Sequence, residues 1–301
     1  MFGKMFGKTE LRMLRNFREG DSLKDAAKRA EISRGKASIA LKNLETLGFV
    51  IRERRNKKFF LRRGNAKHAS LLFEFLREYP SLPVERLLTQ RRITILSVVE
   101  NDISVIAKIV GVTAQTVYNA IKDFLRYGIL IKNNVYMINP HHKTLNNFVC
   151  EFQSFLNKME IERTDKNAIL LWEQGPEFLI KTNKIIEREN YHLTALSALK
   201  KFGLLFIPSY NYYFYSRREM TFSDIIIHTL LTGINSKTNV AYACLLYQKM
   251  KPKDMLKTAR IYKMEKMAEK VIKYVNKQQD FDGFLNREEY NELLEEYGVK
   301  K

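Results

Sequence analysis

DSLKDAAKRAEISRGKASIALKNLETLGFVIRERRNKKFFLRR, residues 21–63, is the stretch from which the rest of the chain is best read. Asp21 or Ser22 can cap a first helix whose inner face is Leu23, Ala26, Ala27 and Ala30, and alanines there let another helix approach closely. Ser33 caps a second helix. Ala37, Ala40, Leu41, Leu44 and Leu47 recur three and four apart along it and so form one core-facing stripe. Arg34, Lys36, Ser38 and Lys42 fall on the opposite side. Gly48 stands where a helix ends in left-handed backbone, and Phe49, Val50 and Ile51 begin a strand. Arg52 and Arg54, then Lys58, Phe60 and Arg62, keep a period of two on either side of Asn56, a natural tip residue.

Helix, tight turn, helix and hairpin is the order of a winged helix-turn-helix, whose second helix enters the major groove of DNA. The charge agrees. The chain carries a net +19 over 301 residues, and residues 1–78 alone hold 20 Lys/Arg against 9 Asp/Glu. In residues 51–67, Arg52, Arg54, Arg55, Lys57, Lys58, Arg62, Arg63 and Lys67 face a single acid, Glu53. Like charges so close repel one another unless a polyanion is present, so Arg52, Arg54, Arg55, Lys57 and Lys58 are expected to contact phosphate or the minor groove. Arg34, Lys36 and Ser38 are expected to reach base edges, as are Gln115 and Asn119 further along the chain, and Lys42 is expected to contact DNA beside the first three.

The module occurs twice. Residues 26–50 align without gaps on residues 106–130, at an offset of 80. Ala27, Lys28, Ala40, Lys42 and Gly48 meet Ala107, Lys108, Ala120, Lys122 and Gly128. Ser33 meets Thr113, cap for cap, and Ala37, Leu41 and Leu44 meet Val117, Ile121 and Phe124. A first helix over residues 84–99, with Arg91 and Arg92 exposed, precedes this second copy. Its outward residues are Gln115, Thr116, Tyr118, Asn119 and Lys122, and Gln and Asn pair bidentately with adenine edges. Its hairpin, residues 129–138, turns at Lys132, Asn133 and Asn134 and is nearly uncharged. One division of labour is a first copy that grips phosphate and a second that adds specificity; the alternative is a second copy that contacts protein.

The expected fold class is α+β, mainly α. It comprises a winged helix-turn-helix with a linker helix (1–79), a second one (80–140), a connector helix (141–164), a mixed α/β domain (165–235) and a helical C-terminal region (236–301). In the first module Thr9 should cap a helix that Gly20 stops. The stripe Leu145, Phe148, Val149, Phe152, Phe155, Leu156 and Met159 suits a connector or a dimerisation helix. Strands are expected at residues 168–172, 178–180, 204–207 and 212–215, with helices at 195–202, 220–231, 254–276 and 287–297. Tyr210, Tyr212, Tyr213, Phe214 and Tyr215 could stack bases but are better explained as alternating core and surface positions of one strand.

The sequence offers no catalytic signature. It has no GxxxxGK[ST], GxGxxG or GxSxG. Asp224 and His228, one helical turn apart, suit a hydrogen bond on a helix surface better than an acid–base pair. The carboxylates at Asp280 and Asp282 lack the further ligands of a calcium loop. His141 and His142 lack partners at metal-ligand spacing. The reading is therefore a protein that is not an enzyme, with no cofactor and no metal. Two cysteines, Cys150 and Cys244, fit a reducing cytoplasm. The N-terminus lacks the continuous apolar core of a secretion signal, and no apolar run is long enough for a membrane span.

The repeated segment resembles winged-helix transcription regulators of archaea and bacteria, which implies binding to double-stranded DNA. Residues 191–216, YHLTALSALKKFGLLFIPSYNYYFYS, are similar to the sensor or core region of abortive-infection type IV antitoxins. Those proteins join a winged helix to such a domain, repress their own operon and oppose a nucleotidyltransferase toxin. The paired modules and the long helical tail depart from that pattern. The expected function is a sequence-specific DNA-binding regulator acting as a repressor, in a homodimer or alone. The alternatives are an antitoxin-like protein that binds a partner through residues 165–235, or an RNA-binding factor.

Overall fold

A computed structural model describes residues 6–55 and 58–300. Helix α1 (Lys8–Arg15) starts from Gly7 rather than Thr9, because the Glu10 carboxylate folds back onto the Gly7 amide at 3.0 Å. It ends at Asn16, short of Gly20. Gly20 has φ +83° and donates its amide to the Leu61 carbonyl at 2.9 Å, so it belongs to a turn joined to the hairpin.

Ser22 and Asp25 make a capping box for α2 (Leu23–Arg29), and Ser33 caps α3 (Arg34–Thr46). Strands β1 (Val50–Arg55) and β2 (Lys58–Arg63) pair antiparallel, with Arg52 opposite Leu61 and Arg54 opposite Phe59. The expected tip, Asn56 and Lys57, lies outside the described residues. At the root of this hairpin the chain passes so close to itself that a Cβ on Gly64 would stand 1.9 Å from the Gly48 carbonyl oxygen. Gly64→Ala must therefore push two backbones apart. A loss of about 3 kcal/mol is expected, the upper end for overpacking; an unchanged urea midpoint would disprove the close approach.

Helix α4 (Lys67–Glu78) links to the second module. The helix expected over residues 84–99 is two helices, α5 (Val84–Leu87) and α6 (Gln90–Leu96), because Thr89 takes extended backbone (φ −62°, ψ 153°). Then come α7 (Ile103–Val110), α8 (Ala114–Arg126), β3 (Leu130–Lys132) and β4 (Tyr136–Ile138). Helices α3 and α8 are each 13 residues long and start 80 residues apart, so the repeat in sequence is a repeat in structure. A 3-10 turn, Pro140–His142, leads into α9 (Lys143–Thr164).

Two compact units divide the chain, Met1–Leu156 and Asn157–Lys301. In the first, Leu145, Phe148, Val149 and Phe152 of α9 are buried as core. Phe152 lies 5.3 Å from Phe49 and 5.2 Å from Phe6, ring to ring. His68 is buried beside them. Burial holds its pKa below the usual histidine range, which keeps the ring neutral and lets Nε2–H donate to the Leu47 carbonyl at 2.8 Å.

In the second unit, β5 (Ile169–Gln174), β6 (Glu177–Thr182), β7 (Tyr191–Leu193) and β8 (Asn211–Tyr215) form an antiparallel sheet in the order β5-β6-β8-β7. The short α10 (Ala195–Ala198) and a 3-10 turn ending at Gly203 follow β7. Residues 204–207 do not make the expected strand: β8 already has β6 on one side and β7 on the other. Leu205 and Ile207 are instead 76% and 95% exposed. Helices α11 (Phe222–Leu231), α12 (Lys237–Met250), α13 (Met255–Ile261), α14 (Glu265–Lys277) and α15 (Arg287–Glu296) complete the chain. The helix expected over 254–276 is broken into α13 and α14, with Lys263 in left-handed backbone (φ +56°) between them. The sheet is covered on both faces. Leu179 and Phe214 pack into the helical core, while Phe178, Ile180 and Tyr213 pack with Ile161 of α9. That is why neighbouring residues Tyr213 and Phe214 are both buried.

The fold is α+β and mainly α, with two helix–turn–helix–hairpin modules, a small mixed region and a helical C-terminal part. Among the described residues no helix is long and apolar enough to cross a membrane.

Candidate nucleic-acid interface

The face that α3 offers to solvent follows from the face it buries. Ala37, Ala40, Leu41 and Leu44 are buried. At about 100° per residue, the positions pointing the other way are Gly35, Ile39, Lys42 and Thr46, with Ser38 beside them. Arg34 and Lys36 stand on opposite flanks of that face. Gly35, Ser38, Ile39 and Lys42 are exposed, as are both flanking cations. The same geometry on α8 buries Val117, Ala120, Ile121 and Phe124 and turns Gln115, Asn119, Lys122 and Arg126 outward. Tyr118 lies next to them and is exposed. Thr116 stands on a flank, its hydroxyl 2.9 Å from that of the capping Thr113.

Gln115 and Asn119 hold each other. The Gln115 amide donates to Asn119 Oδ1 at 3.0 Å, which leaves the Gln115 amide oxygen, its second N–H and the Asn119 NH2 for a third group. An adenine edge offers one donor and one acceptor in the major groove, the complement of that arrangement.

Helices α3 and α8 are each anchored from behind at the same repeat position. Asn43 of α3 donates to Glu10 Oε1 at 2.9 Å. Its counterpart Asp123 receives Arg86 and Arg92, each at 2.6 Å. Arg92, expected on the surface, is thus 21% exposed and engaged. Burial disfavours the Asp123 carboxylate, but the two guanidinium groups outweigh it and hold its pKa below the usual range.

On the first hairpin, Arg52 makes a bidentate pair with Glu45 at the end of α3, at 2.6 and 2.5 Å. This ties the first hairpin to α3. Arg62 pairs with Glu53 at 3.3 Å. Arg54 is exposed opposite Phe59, which is exposed as well. Arg55 and Lys58 lie in the strands flanking the tip, and Lys57 is outside the described residues. The second wing carries Lys132 against the Tyr136 ring at 5.5 Å and an exposed Val135 at its turn.

Gly35 and Ile39 escape a search for charged or amide side chains. The offset of 80, which sets them on Gln115 and Asn119, is the signal that singles them out.

The second unit holds a polar cluster of another kind. Asp224 and His228, expected on a helix surface, are both fully buried. They meet through Tyr262, whose hydroxyl donates to Asp224 Oδ1 at 2.6 Å and lies 2.9 Å from His228 Nε2. Arg218 gives two parallel bonds to Asp224, both 2.8 Å, and a third to Glu177 at 2.9 Å. Thr194 Oγ1 lies 2.8 Å from His228 Nδ1. Because the Tyr262 hydroxyl already donates to Asp224, His228 Nε2–H is the donor to it, and Nδ1 accepts from Thr194. That is a neutral imidazole, and burial accordingly drives the His228 pKa down to about 3 against the pull of Asp224. Burial also penalises the Asp224 carboxylate, but Arg218 outweighs it and holds that pKa far below the carboxylate range. Glu177 is pushed the other way by burial. The cluster is enclosed, and its chemistry is that of a cross-link between β6, the segment after β8, α11 and the end of α13.

A family model described as HVO_2833_C, C-terminal, matches residues 188–299, from just before β7 through α15. It takes in Arg218, Asp224, His228 and Tyr262 and leaves both helix–turn–helix modules outside. No curated protein matches the chain. No solved structure matches it either.

Proposed function

We propose that the chain is a sequence-specific double-stranded DNA-binding transcription regulator that acts as a repressor, a binding protein rather than a catalyst. The observation that carries this reading is the pair of reading helices. Helices α3 and α8 have equal length, matching caps and matching buried stripes, and each keeps an uncovered outward face. What those faces carry, exposed cations on α3 and an amide pair on α8, is the chemistry that phosphates and base edges take up. The cations sit around the first module, where Lys42 and Arg54 are exposed, and the amide pair sits on the second. This supports phosphate grip by one module and base readout by both. A regulator so bound to a promoter represses by occupying it.

The test is a competition between a duplex DNA selected by the chain and an RNA duplex of the same sequence. DNA should win by at least about 100-fold, because the deep, narrow groove of A-form RNA does not admit a helix. The Gln115→Ala/Asn119→Ala variant should still bind DNA but lose about 1–3 kcal/mol of discrimination at one base pair. Equal affinity for RNA, or unchanged discrimination, would refute the assignment.

One observation favours a second role. Leu205 and Ile207 are apolar and nearly bare in the region that resembles antitoxins, a surface suited to a protein partner. Co-purification with the product of a neighbouring gene, lost in Leu205→Ser/Ile207→Ser, tests it.

A further inference from the structure

We propose that Gly35 and Ile39 of α3 form an apolar notch that seats the 5-methyl group of a thymine in the major groove. The notch presupposes the DNA-binding function proposed above and names the base that the first module reads.

Three observations converge on it. Ile39 is 67% exposed in the middle of the outward face of α3. A β-branched side chain there lowers helix propensity and adds nothing to the core, so the fold does not ask for it. Gly35 lies one turn earlier, and nothing in the fold asks for it either. It is helical, and an added Cβ would meet nothing within 4 Å. A glycine at a helical position costs stability relative to alanine, yet neither positive φ nor close packing requires it. What its missing side chain leaves is open space over bare helix backbone, a step in the surface one turn from Ile39, and positions four apart are neighbours on a helix surface. The third observation is the repeat, which sets these two residues on Gln115 and Asn119 of α8.

The two modules thus present different chemistry at the same two positions. The amide pair suits an adenine edge. The glycine–isoleucine pair has no hydrogen-bonding side-chain atom and suits the one apolar group in the major groove, the thymine methyl. Arg34 and Lys36 stand on the flanks of the outward face, so in place of the base-edge contacts expected of them they, with Lys42, can hold the helix on phosphate while the notch closes over the methyl.

The experiment uses the full chain and a duplex pool it selects from random DNA. Each thymine of the winning sequence is replaced in turn by deoxyuridine, which deletes only the methyl. Wild type should lose about fourfold in affinity at one position, the worth of one buried methyl-sized group. Ile39→Ala should lose a similar factor on the thymine duplex and become indifferent to uracil at that position. Gly35→Ala, which keeps or raises helix stability, should weaken binding to the thymine duplex by adding a methyl where the helix backbone is now bare. If duplex binding stands but no thymine is sensitive, or if Ile39→Ala stays as sensitive as wild type, the notch is refuted and the DNA-binding reading survives. If no duplex is selected at all, the reading itself fails, and the notch with it.

Discussion

Replacing Arg34, Lys42 and Arg54 together by alanine will flatten the salt dependence of duplex binding without unfolding the first unit. All three are exposed, so their removal takes nothing from the core and thermal unfolding should be unchanged. Each cation that neutralises a phosphate releases condensed counterions, and the slope of log affinity against log salt falls by about 0.9 for every phosphate that no longer meets a cation. The triple variant should therefore have a slope shallower by about 2.7. At roughly tenfold per charge-assisted bond, the low end for exposed groups, its affinity at moderate salt should drop about a thousandfold. Arg52→Ala is the informative contrast. Arg52 is committed to Glu45 in a bidentate pair, so its removal should loosen the wing and alter the slope less than any of the three. A triple variant with the wild-type slope would mean that the basic face of the first module does not meet phosphate.

Arg218→Met should destabilise the second unit by about 3–5 kcal/mol, the cost of stripping the partner from a buried ion pair. Arg218 is 8% exposed, Asp224 0% and Glu177 1%. One guanidinium serves both carboxylates, so its removal strands two acids in apolar surroundings, and methionine can replace the bulk but not the charge. Asp224 also receives the Tyr262 hydroxyl, which in turn holds His228, so the damage spreads from the sheet to α11 and the end of α13. The single tryptophan reports on it: Trp172 of β5 lies 4.7 Å from the Tyr262 ring. Urea unfolding followed at Trp172 should show the shifted midpoint. Glu177→Gln and Asp224→Asn, added to Arg218→Met, should recover much of the stability, since a buried pair replaced as a whole costs far less than a pair broken. A change below about 1 kcal/mol in the single variant would contradict the role given to the cluster.

What could be read in advance followed from local chemistry. Ser33 and Thr113 are caps, Gly48 and Gly128 are left-handed helix ends, and the stripes of α3 and α8 have helical period; each is settled within a few residues of itself. The hairpins and the strand pair around Gly175 follow for the same reason. What could not be read depends on residues far apart. The Arg218 cluster draws on Thr194, Glu177, Asp224, His228 and Tyr262, and no spacing announces that a charged residue in α11 is enclosed. Residues 204–207 have the composition of a strand, but the strand they would pair with across the turn, β8, lies inside the sheet between β6 and β7, which is a property of the sheet and not of the segment. Thr89 turns extended inside a periodic apolar run, so one expected helix is two. In the candidate interface, the arginines and lysines of α3 were legible because charge is conspicuous. Gly35 and Ile39 were not, since a glycine and an isoleucine in a helix look like defects until the buried face is known.

The most direct measurement is selection of bound sequences from a random duplex DNA library by the full chain, repeated with Ile39→Ala and with Gln115→Ala/Asn119→Ala. The two-module reading predicts one motif with two blocks: the first substitution degrades one block only, and the second degrades the other only. A library that emerges without enrichment, or a motif that both variants degrade in the same block, would contradict it.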